Sequence, residues 1–528
     1  MPVSNIEPPR SGTYNSNLVV ARGFSSQLYP RLDPNKCVTF KNMNITEQGT
    51  TKRRKGYAKY NTNQIVQTTA KDVVGILQPE NTAGTSELLV VAGAKIYTVV
   101  AGATAMTDVT GTAEVADNTD ARCRFVFIDN KVFATDGSKR PWTKAVSANA
   151  AILTSGAPFA AASGDYCKDF VVHRNMLLAL HTKESGTVFP TRVRWCDIDR
   201  ETYVIDPTVW LDANRYEVQD EGLPIVGATD NFDCLLVFKG DGLYPCRLYY
   251  DVGFIELRQV GVYKGFKPVA RNSIISRPEF TWAIAKDGAY VVLPQGGSED
   301  APKFDVKKVT TDIDKFWKDS LAPARLDDAV SFIREGDHQV RTLMSSTTNT
   351  VGHDLVMVWD WISGDVWFDE PYDAFNYAIS FDIAGVEYDC IGTDDGYVMQ
   401  GNYGATDNGE NINWDIQFGP NNMEIPGKAK TILSVDIDLQ KQAGTQSVTM
   451  EAILNQGRVG TFRQTLDLGS TYTYDSGLKY DTGLKYPGGT NRRQHVFINR
   501  NAEIAALRLY GSDAIELVSH AWEFAVEE

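Results

Sequence analysis

The sequence predicts a mainly β protein: a β-propeller of six or seven blades, an extended N-terminal arm and a sandwich-like β domain at the C-terminus. Three observations predict it. Short runs rich in β-branched and aromatic residues, bounded by Gly, Asp and Asn, recur along the whole chain. Helical periodicity is scarce. Asp-Gly pairs between apolar runs fall at Asp136-Gly137, Asp241-Gly242, Asp287-Gly288 and Asp395-Gly396, at intervals of 105, 46 and 108 residues, close to two, one and two units of about 50.

The elements follow in chain order. The first 64 residues are polar, Pro-rich at the start and basic, and are read as an arm. Strands are expected at 88–93 (LLVVAG), 95–100 (KIYTVV), 124–129 (RFVFID), 233–240 (DCLLVFKG), 288–293 (GAYVVL), 354–361 (DLVMVWDW) and 375–382 (FNYAISFD). Asp-Gly is expected to supply the positive φ that tight hairpins need. Further hairpins are expected around Arg174-Asn175 and Ser363-Gly364-Asp365. The best helix candidate is short, Asp312–Leu321, with Ile313, Phe316, Trp317 and Leu321 at helical spacing. These elements place a propeller at 65–405, with stacked sandwiches as the competing architecture. The Gly/Asn-rich 404–414 then reads as a linker or turn cluster. Strands at 432–440, 447–455 and 503–511 define a β domain over 406–528. Within it a tandem, YDSGLK-YDTGLK, spans 474–485; its tyrosines suit either a contact surface or an ordinary long hairpin.

Composition narrows the function. At 528 residues the chain suits two or three domains, with the apolar and charged fractions of a folded protein. No apolar run approaches the roughly 18–20 residues that span a bilayer, and the N-terminus lacks the apolar core of a signal peptide. Seven scattered cysteines with no C-x-x-C pair point to reduced, buried thiols and cytosolic synthesis. The net charge of −15 is uneven. Residues 1–60 hold ten Lys/Arg against three acids, net +7, which leaves −22 for the rest. Between Arg341 and Lys428 there is no Lys or Arg but fifteen Asp/Glu. Such a stretch cannot grip nucleic acid through its phosphates. It is either a solvated acidic face, a DNA-repelling wall or a surface for a basic partner.

Catalytic signatures are absent from the sequence. None of the six histidines pairs at the i, i+4 spacing of a zinc helix, and there is no nucleophile elbow, phosphate loop or calcium loop. Acid pairs such as Asp197-Ile198-Asp199 and Asp394-Asp395 could serve glycoside cleavage, but the sialidase turn repeat is missing. The reading is therefore of a non-enzyme without cofactor or metal. The densest positive charge is Lys52-Arg53-Arg54-Lys55, followed by Gly56-Tyr57. It is read as a solvated loop, a grip on nucleic acid, or a contact to an acidic subunit.

Residues 18–37 (LVVARGFSSQLYPRLDPNKC) and 38–57 (VTFKNMNITEQGTTKRRKGY), then 203–228 (YVIDPTVWLDANRYEVQDEGLPIVGA) and 235–244 (LLVFKGDGLY), occur in that order. This arrangement resembles the tail nozzle or hub proteins of short-tailed bacteriophages, the tail tubular protein B group, to which the packaged-DNA stabilisation proteins are related assemblies. Family members carry Arg-Pro-Gly where this chain has Arg54-Lys55-Gly56. The resemblance covers the first half of the chain, and the C-terminal domain by texture alone. It implies a structural virion protein, made in the host cytoplasm and ending in the virion tail. It further implies a homo-hexameric ring around the DNA ejection channel that helps retain the packaged genome. The partners implied are a portal-adaptor ring, tail fibre or needle proteins, and passing double-stranded DNA read without sequence recognition. In that setting Lys52, Arg53, Arg54 and Lys55 become subunit contacts, and Asp369, Glu370, Asp373, Asp394 and Asp395 candidate channel-lining acids. The alternative is a carbohydrate-binding or glycan-cleaving tail propeller that binds the receptor, with Trp359, Trp361, Trp367 and Tyr372 lining a sugar cleft.

Overall fold

The computed structural model describes residues 13–15, 21–26, 35–46, 49–61, 63–99, 106–117, 122–153, 156–198, 205–207, 209–219, 222–251, 254–298, 301–349, 351–383, 385–421, 429–440, 446–457, 460–467 and 491–526. The chain divides into two units, one of Tyr57–Gly364 with Pro371–Gly404, the other of Met1–Gly56, Asp365–Glu370 and Ala405–Glu528.

The first unit is a seven-bladed β-propeller. Innermost strands begin at Val73, Arg124, Tyr166, Ile225, Ile275, Val330 and Phe375, at intervals of 42 to 59 residues. Each packs beside the next, and Phe375–Ile383 returns to Val73–Leu77, which closes the circle. Blade one is Val73–Leu77, Leu88–Ala92, Lys95–Val99 and Thr107–Asp108, all antiparallel. Second strands such as Cys234–Lys239, Phe280–Ala285 and Gln339–Met344 are buried at every position, because a blade has neighbours on both faces. The spaces between blades hold the core: Val74, Leu89, Val91, Val132 and Trp142 between blades one and two, and Leu178, Val193, Leu235, Val237 and Leu248 between three and four.

Several hairpins turn through two residues with positive φ, Asp129-Asn130, Arg174-Asn175 and Phe232-Asp233. This is the geometry that matches strand twist, and Asn and Asp tolerate it. Gly137 and Gly396 take the expected positive φ, 76° and 84°, whereas the other two Asp-Gly pairs do something else. At Asp241-Gly242 and Asp287-Gly288 the register puts Gly240-Asp241 and Lys286-Asp287 in the loops, and each Gly opens the following strand. Gly288 is required by crowding: a Cβ there would lie 2.4 Å from Lys308 Cε and 2.5 Å from Thr310 Oγ1. The tyrosine two residues on closes the turn. Tyr244 and Tyr290 donate their hydroxyls to Asp241 and Asp287, both at 2.7 Å.

Blade seven is completed from the other end of the sequence: Tyr57–Lys59 pairs antiparallel with Met399–Gly401 as its outer strand. Tyr57 packs edge-on against Phe375 at 5.2 Å, and its hydroxyl accepts the Asp373 N–H at 2.7 Å. The propeller therefore begins before residue 65. The helix expected near 312–321 is one 3₁₀ turn, Thr311–Ile313, running into the α-helix Asp314–Ser320, with Trp317 buried. Among the described residues no helix is long and apolar enough to cross a membrane.

The second unit is a two-sheet sandwich. One sheet orders Met43–Ile45, Thr51–Arg53, Glu516–Val526, Lys430–Gln440 and Asn491–Ala502, with Thr13–Asn15 also along Glu516–Val526. The other orders Val366–Asp369, Lys36–Lys41, Trp414–Phe418, Ala505–Gly511, Ser447–Leu454 and Gly460–Asp467. Strand Lys430–Gln440 alternates buried and half-buried residues, as a one-sided strand should. Phe418 of one sheet meets His520 of the other, ring centres 4.3 Å apart. The described residues of the expected arm thus belong to this sandwich up to Gly56. The tandem at 474–485 lies outside the described residues. All seven cysteines are buried and unpaired, and burial pushes their thiols upward.

Candidate functional site

The basic run enters the sandwich unit as the end of strand Thr51–Arg53. Strand alternation fixes its orientation: Thr51 points in, Lys52 out, and Arg53 is half-buried. Arg54 is buried. Its guanidinium forms a two-pronged pair with Asp407, Nη1 to Oδ1 at 2.8 Å and Nη2 to Oδ2 at 2.5 Å. Nε donates to Asn42 Oδ1 at 2.9 Å, and Nη2 also reaches the Glu370 carbonyl at 3.3 Å. Asn42, at φ 56°, accepts in addition the Glu370 N–H at 2.8 Å and donates to the Asn413 carbonyl at 2.6 Å. Arg53 donates to the carbonyls of Ser512 and, at 3.0 Å, Ala405. Gly56 is held so tightly that a Cβ would sit 1.9 Å from the Thr406 carbonyl oxygen. Both arginines are thus engaged within their own unit, and Lys52 and Lys55 are the exposed members of the run.

The five expected acids are divided between the units. In the sandwich, Asp369 is buried, and Glu370 is exposed and paired with Lys41 at 2.5 Å. In the propeller, Asp394 is half-buried. Burial, then the neighbouring Asp395 and Asp72, and also Asp373, raise its carboxyl above the usual range. Asp395 accepts the Thr393 hydroxyl. The structure therefore brings Asp373, Asp394 and Asp395 together, and Asp369 and Glu370 separately.

The aromatic segment is mostly packing. Trp367 is fully buried, and Trp359 stacks on Trp282 at 5.0 Å. Trp361 is covered by the Arg277 guanidinium at 4.4 Å and by the rings of Phe280 and His338. Tyr372 is 66% exposed.

A polar cluster absent from the sequence reading fills the propeller axis. Arg122, just before the inner strand of blade two, pairs with Asp328 at 3.0 Å ahead of blade six. It donates to the Asn376 carbonyl of blade seven at 3.1 Å and to His353 Nε2 at 3.3 Å. Arg271, leading into blade five, donates to the carbonyls of Arg122 and Lys168. Arg124 pairs with the buried Asp169 of blade three at 3.2 Å and donates to the Ile274 carbonyl at 3.0 Å. Bonds between blades that are not neighbours can only run through the middle. The centre is thus laced by guanidiniums, which supply several fixed donors each. Burial, then Arg122 and Arg325, hold His353 far below its usual range, so it stays neutral. Its Nδ1–H then donates to Ser345 Oγ at 3.0 Å, and Ser345 donates onward to the Gly352 carbonyl at 2.8 Å. The only sequence hint was the pair of arginines opening an apolar strand, R-C-R-F-V-F-I at 122–128. Among the described residues no group of three or more His, Cys, Asp or Glu is placed to hold a metal ion.

No family model matches the chain, and no curated protein matches it. Solved structures do. The Neurospora crassa Pan2 WD40 domain aligns at 11% identity and TM-score 0.39, over 66% of this chain and 94% of that one. YCF48 from Cyanidioschyzon merolae aligns at 10% and 0.38, over 64% and 97%. The extracellular domain of a hybrid two-component system from B. thetaiotaomicron aligns at 9% and 0.38, over 65% of this chain and 39% of that one. None of these similarities bears on function.

Proposed function

We propose that this chain is a structural subunit of a viral tail nozzle ring, six copies surrounding the DNA ejection channel and helping to retain the packaged genome. The observation that carries the reading is the ordered resemblance of residues 18–57 and 203–244 to nozzle proteins, in a chain that folds as a propeller with a β-sandwich. Its role is architectural rather than catalytic. Arginines occupy the propeller's own axis, so the channel in this reading belongs to the ring of copies. The acid-rich 342–427 keeps DNA from adhering as it passes. Lys52 and Lys55 meet an acidic neighbour, either another copy or the portal-adaptor ring, while fibre or needle proteins attach to the same tail.

The test is the symmetry of the assembled particle. Electron micrographs of purified tails, with this chain located by a fused tag, should show a sixfold ring with an axial hole. A monomer absent from particles would overturn the reading, and glycan-array binding by such a monomer would transfer it to the receptor-binding alternative.

A further inference from the structure

Blade three carries two neighbouring lysines, neither of them in an ion pair among the described residues, on one face of its first hairpin. In the hairpin of Tyr166–His173 and Met176–Glu184, Tyr166 lies directly opposite Lys183, and Lys168 follows on the same face. The Lys168 and Lys183 ammoniums lie 5.1 and 5.9 Å from the centre of the Tyr166 ring, which the two lysines share. Neither forms an ion pair with a described carboxylate. Their neighbour His181 sits at a β-bulge with φ 50°, a backbone state uncommon for residues other than glycine. The bulge places its ring 6.5 Å from that of Tyr166, with Nδ1 donating to the Ile225 carbonyl at 3.2 Å. Arg271 approaches from the blade-five side. A Cβ on Gly137 would lie 2.9 Å from Arg271 Nη1 and 3.6 Å from Lys168 Nζ, so those two cations are within 6.5 Å of each other.

Like charges this close to one another oppose each other's ionisation. Burial and the Arg271 charge both lower the Lys168 ammonium from its usual range, and the same two cations lower His181 after burial does. Asp136, the carboxylate acting on Lys168, is already taken by the N–H groups of Ala116, Ser138 and Lys139 and by the Ser138 hydroxyl, and Asp169, which faces Arg271, is paired with Arg124. Strain and like-charge crowding concentrated at one half-open face are what a binding site maintains for its ligand.

We propose that Tyr166, Lys168, His181 and Lys183, with Arg271 beside them, bind carboxylates of an acidic segment on a partner protein. The patch offers few cations, whereas nonspecific nucleic-acid binding draws its strength from many phosphate contacts. The tyrosine ring between the lysines supplies apolar area for the stems of Glu side chains. The site does not depend on the tail-ring reading.

The test is fluorescence anisotropy of the full chain with a labelled oligoglutamate peptide, run beside a labelled single-stranded oligonucleotide of equal charge. Saturable peptide binding is expected, weakened about tenfold or more by Lys168→Met with Lys183→Met. Lys131→Met, elsewhere on the propeller, should leave it unchanged. Lysine acetylation of the unaltered protein, read by mass spectrometry, should show Lys168 and Lys183 protected by the peptide. This second readout stands even where the double variant folds poorly. Absence of saturable binding, equal binding by a folded double variant, lack of protection, or tighter oligonucleotide binding through the same lysines would each overturn the proposal.

Discussion

Arg54 shows how a charged residue becomes structural. Its guanidinium fixes Asp407, Asn42 and the Glu370 carbonyl, segments distant in sequence but joined in one unit. Removing one partner leaves the other buried and unpaired, so Arg54→Met should destabilise the sandwich by roughly 3–5 kcal/mol. Denaturant titration checks this, and adding Asp407→Asn should recover part of the loss. A basic run reads as exposed in sequence because its burial depends on partners hundreds of residues away, which is why the run stood out while Arg54's role did not. His520 is the opposite case, a titratable group kept neutral. Burial between the sheets pushes it down to about 3, against roughly 6.5 in an unfolded chain. Unfolding therefore takes up a proton between those values, and stability present above pH 6.5 is lost as the pH falls. Between pH 6.5 and 5 this group alone costs about 2 kcal/mol. Denaturant midpoints at pH 7 and 5 should fall further for the native protein than for His520→Phe, whose ring remains against Phe418. Equal falls would show that His520 does not carry the proton.

Elements were legible wherever burial on both faces produced an unbroken apolar run. Leu88–Ala92, Cys234–Lys239 and Leu355–Asp360 lie close to where the sequence placed them. The recurring Asp-Gly-x-Tyr was visible too, but its reason was not: the tyrosine hydroxyl, rather than glycine's positive φ, secures two of those turns. The strand Tyr57–Lys59 was illegible as part of the propeller. It is three residues long, and nothing local in it announces a partner at Met399–Gly401. Starting the chain at Gln64 should therefore open blade seven. The remaining Phe375–Ile383, Val386–Thr393 and Val398–Gly401 would expose a sheet edge. The shortened protein should melt at a lower temperature and aggregate, as calorimetry and light scattering would record. An unchanged melting point would show that the closing strand is dispensable.

For the molecule as a whole, the proposed ring makes a separable demand on the basic run. Because Arg54 is committed internally, reversing it would damage folding before assembly. Lys52→Glu with Lys55→Glu changes only exposed side chains and should leave the melting temperature within a few degrees of the native value. In the ring reading it should sharply reduce the yield of complete tails, counted by electron microscopy. Normal tails would remove those lysines from the contact. The closing strand of the propeller also bears on how the protein is made. Tyr57 leaves the ribosome 344 residues ahead of its partner Gly401, and Thr13 precedes Ala525 by 512. At about 5–20 residues per second, the first gap alone lasts roughly 17–70 s. During that time six blades can form in order while the strand that seals the last one waits unpaired. The propeller can close only once Gly401 has been made and the sandwich only once Ala525 has, so a product truncated before Gly401 carries an open propeller, and one truncated between the two carries a closed propeller and an unfinished sandwich.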